Sequence, residues 1–368
     1  YTGLITAAGS AVFGVLWAFT NMRYAEEEAR NEEELRYDAY GRYIIEMTER
    51  IRQIYDDNRR VLFLNHPSGE ECCNVSAQDG SLWNRNQTQA DFLTVRLGCG
   101  DIPFQGKIEI PKLKFQLLPD ELMEKPGMVK SNFTTLYHVP ICLDLLQYPM
   151  VGVIGGSGKT GGYIVIRNII AQLAAHNAYT DVKMIFIYDG STGAERERWE
   201  FVKWLPHVWA EDLKTRYIAQ TKADVGDISY TLGRILRSRA EEGSAFDQKR
   251  KIRRPWYILF LISPEMLEGE LISRYVKDPK PEYGLTTFWL GERYEDLPNN
   301  CEEIIQNDQF GEGLFNVYEG RERFAKVEFD TVSSASLRNL SRRICALEVS
   351  DEEKGGEIPG NLGFLEMY

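Results

Sequence analysis

A chain of 368 residues, 43% apolar and 27% charged, has the length of about two domains, or of one large α/β domain with appendages. Its formal net charge of -12 argues against a general nucleic-acid-binding surface, and the one basic stretch, residues 249–254, reads as a solvated loop before a strand. Six cysteines (72, 73, 99, 142, 301, 345) without a C-x-x-C pair and four scattered histidines (66, 138, 176, 207) assemble no zinc site and fit a reducing compartment better than a disulfide framework, where the sequons at Asn74, Asn86, Asn132 and Asn339 would mean nothing.

Residues 1–22 carry no charge and, at ~1.5 Å per residue, are long enough to cross a bilayer as a helix. Gly3, Ala7 and Ala11, and again Ser10, Gly14 and Ala18, recur at the spacing that lets membrane helices approach closely. The stretch lacks an initiating Met and a basic flank, so it is no signal peptide, and the chain is expected to begin inside a larger protein. A buried hydrophobic helix is the alternative; the abrupt change to Arg23-Tyr-Ala-Glu-Glu-Glu28 favours a membrane exit, with weak support from the positive-inside rule for a cytoplasmic C-terminal side.

Residues 23–60 contain no proline, and Tyr37, Tyr40, Ile44, Met47, Ile51 and Ile54 follow a 3-4-3-4-3 spacing. This predicts a helical stalk whose seam packs on a neighbour; a surface helix lying on its own domain is the alternative. Residues 61–140 open with loops, alternate as strands at 91–98, 107–110 and 114–118, and are cut short by prolines, which predicts a small β-rich subdomain.

From residue 141 the order changes. The apolar run 150–154 reads as a buried strand, 155–162 as a glycine loop, and 163–175 as a helix. Strands follow at 182–188, 256–262, 285–290 and 325–329, with helical runs near 195–204, 224–240, from 264 and at 334–346. Such alternation implies a mainly parallel sheet covered on both faces, spanning 141–347, and the acidic, glycine-containing 348–368 reads as a linker towards a next domain.

The loop carries the chemistry. A Walker A loop, G-x-x-x-x-G-K-[ST], cradles phosphates on backbone N–H groups, with the Lys on the terminal phosphates and the hydroxyl on Mg²⁺. Gly155, Gly156, Ser157, Gly158, Lys159 and Thr160 supply most of that cradle, but Val153 stands where the opening glycine belongs. A G-x-G-x-x-G dinucleotide fingerprint over Gly156, Gly158 and Gly161 overlaps it, with Asp189 as its ribose acid, too far along the chain for the usual ~20-residue spacing. A G-x-S-x-G nucleophile elbow fails at Lys159. The bland alternative is a glycine turn that lets a helix pack closely on a sheet.

ATP hydrolysis also needs a carboxylate at the end of a neighbouring strand to hold the Mg²⁺ shell. After the run 256–262 come Ser263 and Pro264; Glu265 is displaced by two positions, and Asp189 ends a different strand. No catalytic residue and no metal ligand set is therefore assigned. ATP and Mg²⁺ would be held weakly if at all, and no cofactor is required.

Leu82-Trp-Asn-Arg, Asp91-Phe-Leu-Thr-Val-Arg-Leu-Gly98, Pro140-Ile-Cys-Leu-Asp144, Gly152-Val-Ile-Gly-Gly156, Arg167-Asn-Ile-Ile-Ala-Gln172 and Phe364-Leu-Glu-Met-Tyr368 resemble the membrane-proximal part of the EssC/EccC ATPases, the FtsK/SpoIIIE-type motors of type VII secretion. The resemblance implies a P-loop NTPase-like (RecA/FtsK-type) α/β domain, the first and degenerate one of a string, behind a transmembrane helix and a stalk. It implies a cell-membrane location with the main domain cytoplasmic. Its partners would be sister subunits in a ring, such as a hexamer, other membrane subunits, and the lipid bilayer. Secreted helical proteins would be engaged mainly by domains outside this chain. An active P-loop ATPase and, more distantly, a dinucleotide-binding oxidoreductase are the competing readings.

Overall fold

The apolar runs become the middle of one ten-stranded sheet in the computed structural model of the chain. The structure describes residues 2–110, 121–243, 252–316 and 325–349, without the side chains of 2–11, 121 and 243. The expected strand at 114–118, half of the basic stretch 249–254, and the segment 350–368 lie outside the described residues. The chain forms two compact units, residues 1–61 with 103–136, and residues 62–102 with 137–368.

The first unit is built on α1 (Thr2–Asn65), a continuous helix of 64 residues with no break between the expected membrane span and the expected stalk. Among the described residues no helix is long and apolar enough to cross a membrane, so the span at 1–22 is not borne out; the side chains of 2–11 lie outside those residues. Between 12 and 22 the apolar side chains stand exposed, Phe13 at 77% and Trp17 at 68%. Further along, Tyr40, Ile44, Met47 and Ile51 are half-buried. The seam then shifts by one residue, because Ile54 is exposed and Tyr55 turns inward. The Tyr55 ring lies 5.6 Å from Phe104 and 5.8 Å from Phe133, and its hydroxyl donates to the Thr135 carbonyl at 3.2 Å. The end of the seam thus packs within its own unit, which also contains α3 (Glu121–Asn132).

In the second unit α2 (Gly69–Cys73) precedes β1 (Thr94–Pro103), β2 (Thr135–Asp144) and β3 (Met150–Ile154). Then come α4 (Thr160–His176), β4 (Val182–Ile187), α5 (Gly193–Arg198), β5 (Ile218–Ala219), α6 (Lys222–Gly243) and β6 (Trp256–Leu261). The chain continues through α7 (Ser273–Lys277), β7 (Leu285–Gly291), β8 (Glu303–Asp308), β9 (Gly311–Asn316), β10 (Ala325–Phe329) and α8 (Ser334–Ile344). The sheet order is β2-β1-β10-β9-β8-β3-β7-β6-β4-β5.

One expectation is extended and one corrected. The sheet is mainly parallel, as β8, β3, β7, β6, β4 and β5 show, but β9, β10 and β1 join it antiparallel. Residues 61–140 do not form a separate β-rich body. β1 pairs with β10 through Gly98–Phe329, Cys99–Glu328 and Gly100–Val327, so it extends the large sheet, and 107–110 form no strand.

Period-two alternation sorts each central strand between two cores. Val182, Met184 and Phe186 face one side with α4 and α8, while Ile185 and Ile187 face the other with Val225, Ile228, Leu232 and Leu236 of α6. Phe186, Phe260 and Phe288 stack across three strands at 5.1 and 5.2 Å. With both faces covered, β3, β4, β6 and β7 are buried along their whole length, as parallel strands require.

Helix α4 is buried at thirteen of its seventeen positions, including two amides. Asn168 Nδ2 and Gln172 Nε2 donate to the Arg96 carbonyl at 2.8 and 2.6 Å, and Gln172 Oε1 accepts the Arg96 N–H at 2.7 Å. These bonds satisfy backbone of β1 that would otherwise be buried unpaired. Nearby, Cys72 Sγ lies 3.3 Å from His176 Nε2, and burial holds both groups neutral, the thiol pushed up to about 12 and the imidazole down to about 3.

Candidate functional site

The loop at 155–159 hangs from the end of β3, whose neighbours are β7 on one side and β8 on the other. After β3 the chain crosses over α4 to β4, three places away, and after β7 it jumps back to β8. The loop therefore sits at the carboxyl ends of parallel strands where strand order reverses, the usual crevice for ligands in open α/β sheets.

Local conformation follows the glycines. Gly156 and Gly158 have φ of 71° and 67°, a region costly for other residues, and they fold 157–159 into a 3₁₀ turn. Lys159 adopts φ 58° and ψ 20°, the left-handed conformation that a non-glycine residue seldom takes. Val153 departs from the Walker pattern for a packing reason. It is fully buried in β3, in register with Leu290 and Ile305, and belongs to the core on the α4 side.

The cradle is taken up by its own chain. The Gly155 N–H donates to the Gly291 carbonyl at 2.9 Å and the Gly156 N–H to the Glu292 carbonyl at 3.2 Å. The Gly158 N–H donates to the Glu292 carboxylate, Oε1, at 3.0 Å. The Lys159 and Gly161 N–H groups close the turn internally, on the Gly156 and Gly155 carbonyls at 2.9 and 3.0 Å. Lys159 Nζ donates to the Ile262 carbonyl, just past β6, at 2.7 Å. A carboxylate thus lies where a Walker loop receives a phosphate, and the lysine holds a strand end. Ser157 and Thr160 are exposed.

Ser263, where a metal-holding acid would follow β6, is buried, and its Oγ accepts the Asp189 N–H at 3.0 Å. Asp189 turns its carboxylate to Ser191, accepting from the backbone N–H and the hydroxyl at 2.8 Å each, and these bonds hold it below the usual carboxylate range. As a ribose acid for Gly156, Gly158 and Gly161, Asp189 would have to act alongside these two bonds to its own loop. Glu265 is exposed in a 3₁₀ turn on the rim. Beside the loop a cleft of about 340 Å³ is lined by Lys159 and Lys277 but also by Glu265, Glu268 and Asp296. A triphosphate there would meet three carboxylates against two ammonium groups. Among the described residues no three histidine, cysteine or acidic side chains gather into a metal site.

Sequence reasoning brought together Gly155 to Thr160 and missed Glu292. The available signal was positional: Gly291-Glu292 follows directly on the strand at 285–290, at the sheet end where the loop emerges.

No family model matches the chain. The chain is 23% identical to the ESX secretion system protein EccC of Geobacillus thermodenitrificans, over 99% of this chain and 24% of that protein. It is 20% identical to the type VII secretion system protein EssC of Staphylococcus aureus, over 97% of this chain and 24% of that protein. The chain thus spans about a quarter of the length of the curated relatives it matches. A solved structure of ATPases 2 and 3 of Thermomonospora curvata EccC, in complex with a signal sequence peptide, overlays with a TM-score of 0.41 at 13% identity, covering 75% of this chain and 51% of that one.

Proposed function

The chain is of the EssC/EccC type, and from that premise we propose that it is a catalytically silent ATPase-fold module of a type VII secretion motor, a platform that carries motor domains rather than turning over ATP. The observation that carries this reading is the Glu292 carboxylate on the Gly158 amide. Val153 in the core and Ser263 in place of an acid support it further. Losing metal and water positioning removes several kcal/mol of transition-state stabilisation, which is orders of magnitude in rate. Purified protein should hydrolyse Mg·ATP no faster than its Lys159→Ala variant. A robust rate abolished by Lys159→Ala would instead favour the active P-loop reading.

The exposed apolar side chains at 12–22 support a further element of the proposal, a membrane anchor at 1–22 with the α/β unit on the cytoplasmic side. Protease added to sealed vesicles of known orientation should reach the α/β unit from the cytoplasmic face alone. Digestion from the opposite face, or release of intact protein by carbonate washing, would remove the anchor from the account. In this reading the half-buried Tyr40–Ile51 stretch of α1 links anchor and platform, and sister copies in a ring are its partners.

A further inference from the structure

A second cleft, of about 200 Å³, opens beside the amino end of β4 and is independent of the loop and of its reading. Tyr179, Lys183, Pro206, Trp209 and Leu213 line it together with residues 345–348. Lys183 is 5% exposed, yet among the described residues its ammonium makes no hydrogen bond and no ion pair. Its recorded neighbour is a ring: Nζ lies 5.5 Å from the centre of Tyr179.

The groups around Lys183 compensate its charge only in part. Glu211 is exposed and accepts the Tyr257 hydroxyl at 2.9 Å. His207 is buried, bonded through Nε2 to the Asn177 carbonyl at 2.8 Å, and held neutral by burial at about 4. Glu348 is exposed on the cleft rim. Burial pushes the Lys183 amine below its ordinary value, and the Glu211 carboxylate offsets this only in part. With a mostly buried stem and only the face of Tyr179 beside it, an ammonium lining the cleft gains most from an anion that enters there.

We propose that this cleft is a binding site for a carboxylic acid with a flat apolar body, the carboxylate pairing with Lys183 Nζ and the body lying against Trp209 and Tyr179. The walls support the apolar half. Arg216 stacks on Trp209 with its guanidinium carbon 4.2 Å from the ring centroid, which steadies the indole. The volume is smaller than the ~300–1,000 Å³ of drug-sized pockets, so it suits a group the size of one aromatic side chain with its acid. A free small acid and the carboxyl-terminal aromatic residue of a peptide share that chemistry.

Saturation-transfer NMR on the 368-residue chain tests the site with three probes: 3-phenylpropionate, its amide, and a short peptide ending in phenylalanine with a free carboxylate. The acid should bind, and the amide should bind at least ~10-fold more weakly, because a bond to a charged group is lost. Lys183→Met should lose the same factor, Lys183→Arg should retain binding, and Glu348→Gln, by removing a like charge from the rim, should tighten it. Peptide binding at least as tight as that of the acid would assign the ligand to a chain terminus; binding of the acid alone would assign it to a free metabolite. If Lys183→Met fails to fold, the comparison of acid with amide on the unmodified chain decides. Equal binding of acid and amide, unchanged binding by a folded Lys183→Met, or no binding of either carboxylate overturns the proposal.

Discussion

Replacing Arg96 by Met is expected to cost the α/β unit about 3–5 kcal/mol, the usual penalty for breaking a buried ion pair from one side. Arg96 is 6% exposed on β1, with Nε 2.8 Å and a terminal nitrogen 3.1 Å from the two Asp330 oxygens. The Nε contact is a close approach of charges whose angle leaves both atoms without a hydrogen bond, so the 3.1 Å bond carries the directionality. The same guanidinium donates to the His66 carbonyl at 3.0 Å and to Cys99 Sγ at 3.2 Å, and lies 5.3 Å from the centre of the Phe63 ring.

Methionine keeps much of the apolar stem but strands Asp330, whose pKa burial already raises against the opposing pull of Arg96. Without that pull the carboxyl can protonate, which caps the loss instead of leaving a bare charge. Thermal unfolding should show the change, with a midpoint temperature lower by on the order of 10 °C for a unit of this size. Removing both partners, Arg96→Met with Asp330→Leu, should recover most of it. A single-variant loss below ~1 kcal/mol would mean that the pair is solvated in solution.

The parts of the fold that were legible in the sequence are those in which burial on both faces leaves a continuous apolar run. β3, β4, β6 and β7 declared themselves in this way, and α8 did so through Leu337, Leu340 and Ile344 on one face. The β8–β9 hairpin was hidden because its residues are mostly polar. Glu-Ile-Ile-Gln-Asn-Asp becomes a strand by pairing with β3, and the turn that follows is shaped by Asp308 Oδ1 accepting from the Phe310 and Gly311 N–H groups. The two-residue β5 had no pattern to show. The antiparallel side of the sheet was missed partly because β9 was hidden, and partly because the pairing of β1 with β10, both legible as strands, depends on strand order.

At the loop, glycine spacing announced a tight turn before a helix, and the structure has one. What spacing could not announce is which groups the loop amides would meet. That depends on Glu292, 134 residues beyond Gly158, and on the Ile262 carbonyl, 103 residues beyond Lys159. Both are brought in by strand order, which local pattern does not specify. Asn168 and Gln172 are a similar case: their helix was legible, whereas their bonds to β1 depended on packing.

The most direct test of a loop closed by its own carboxylate is calorimetric titration with Mg·ATP of the unmodified chain, Glu292→Ala, and Glu292→Ala with Lys159→Ala. Alanine at 292 removes the acceptor on Gly158 and a negative charge beside the cradle, while the Gly155 and Gly156 bonds to backbone carbonyls remain. One freed amide facing a charged oxygen is worth ~1.5–3 kcal/mol, so binding should strengthen by ~10-fold or more. The account predicts no measurable ATP binding by the unmodified chain, binding by Glu292→Ala, its loss on adding Lys159→Ala, and no hydrolysis by any of the three. Tight ATP binding by the unmodified chain that Glu292→Ala leaves unchanged would contradict it.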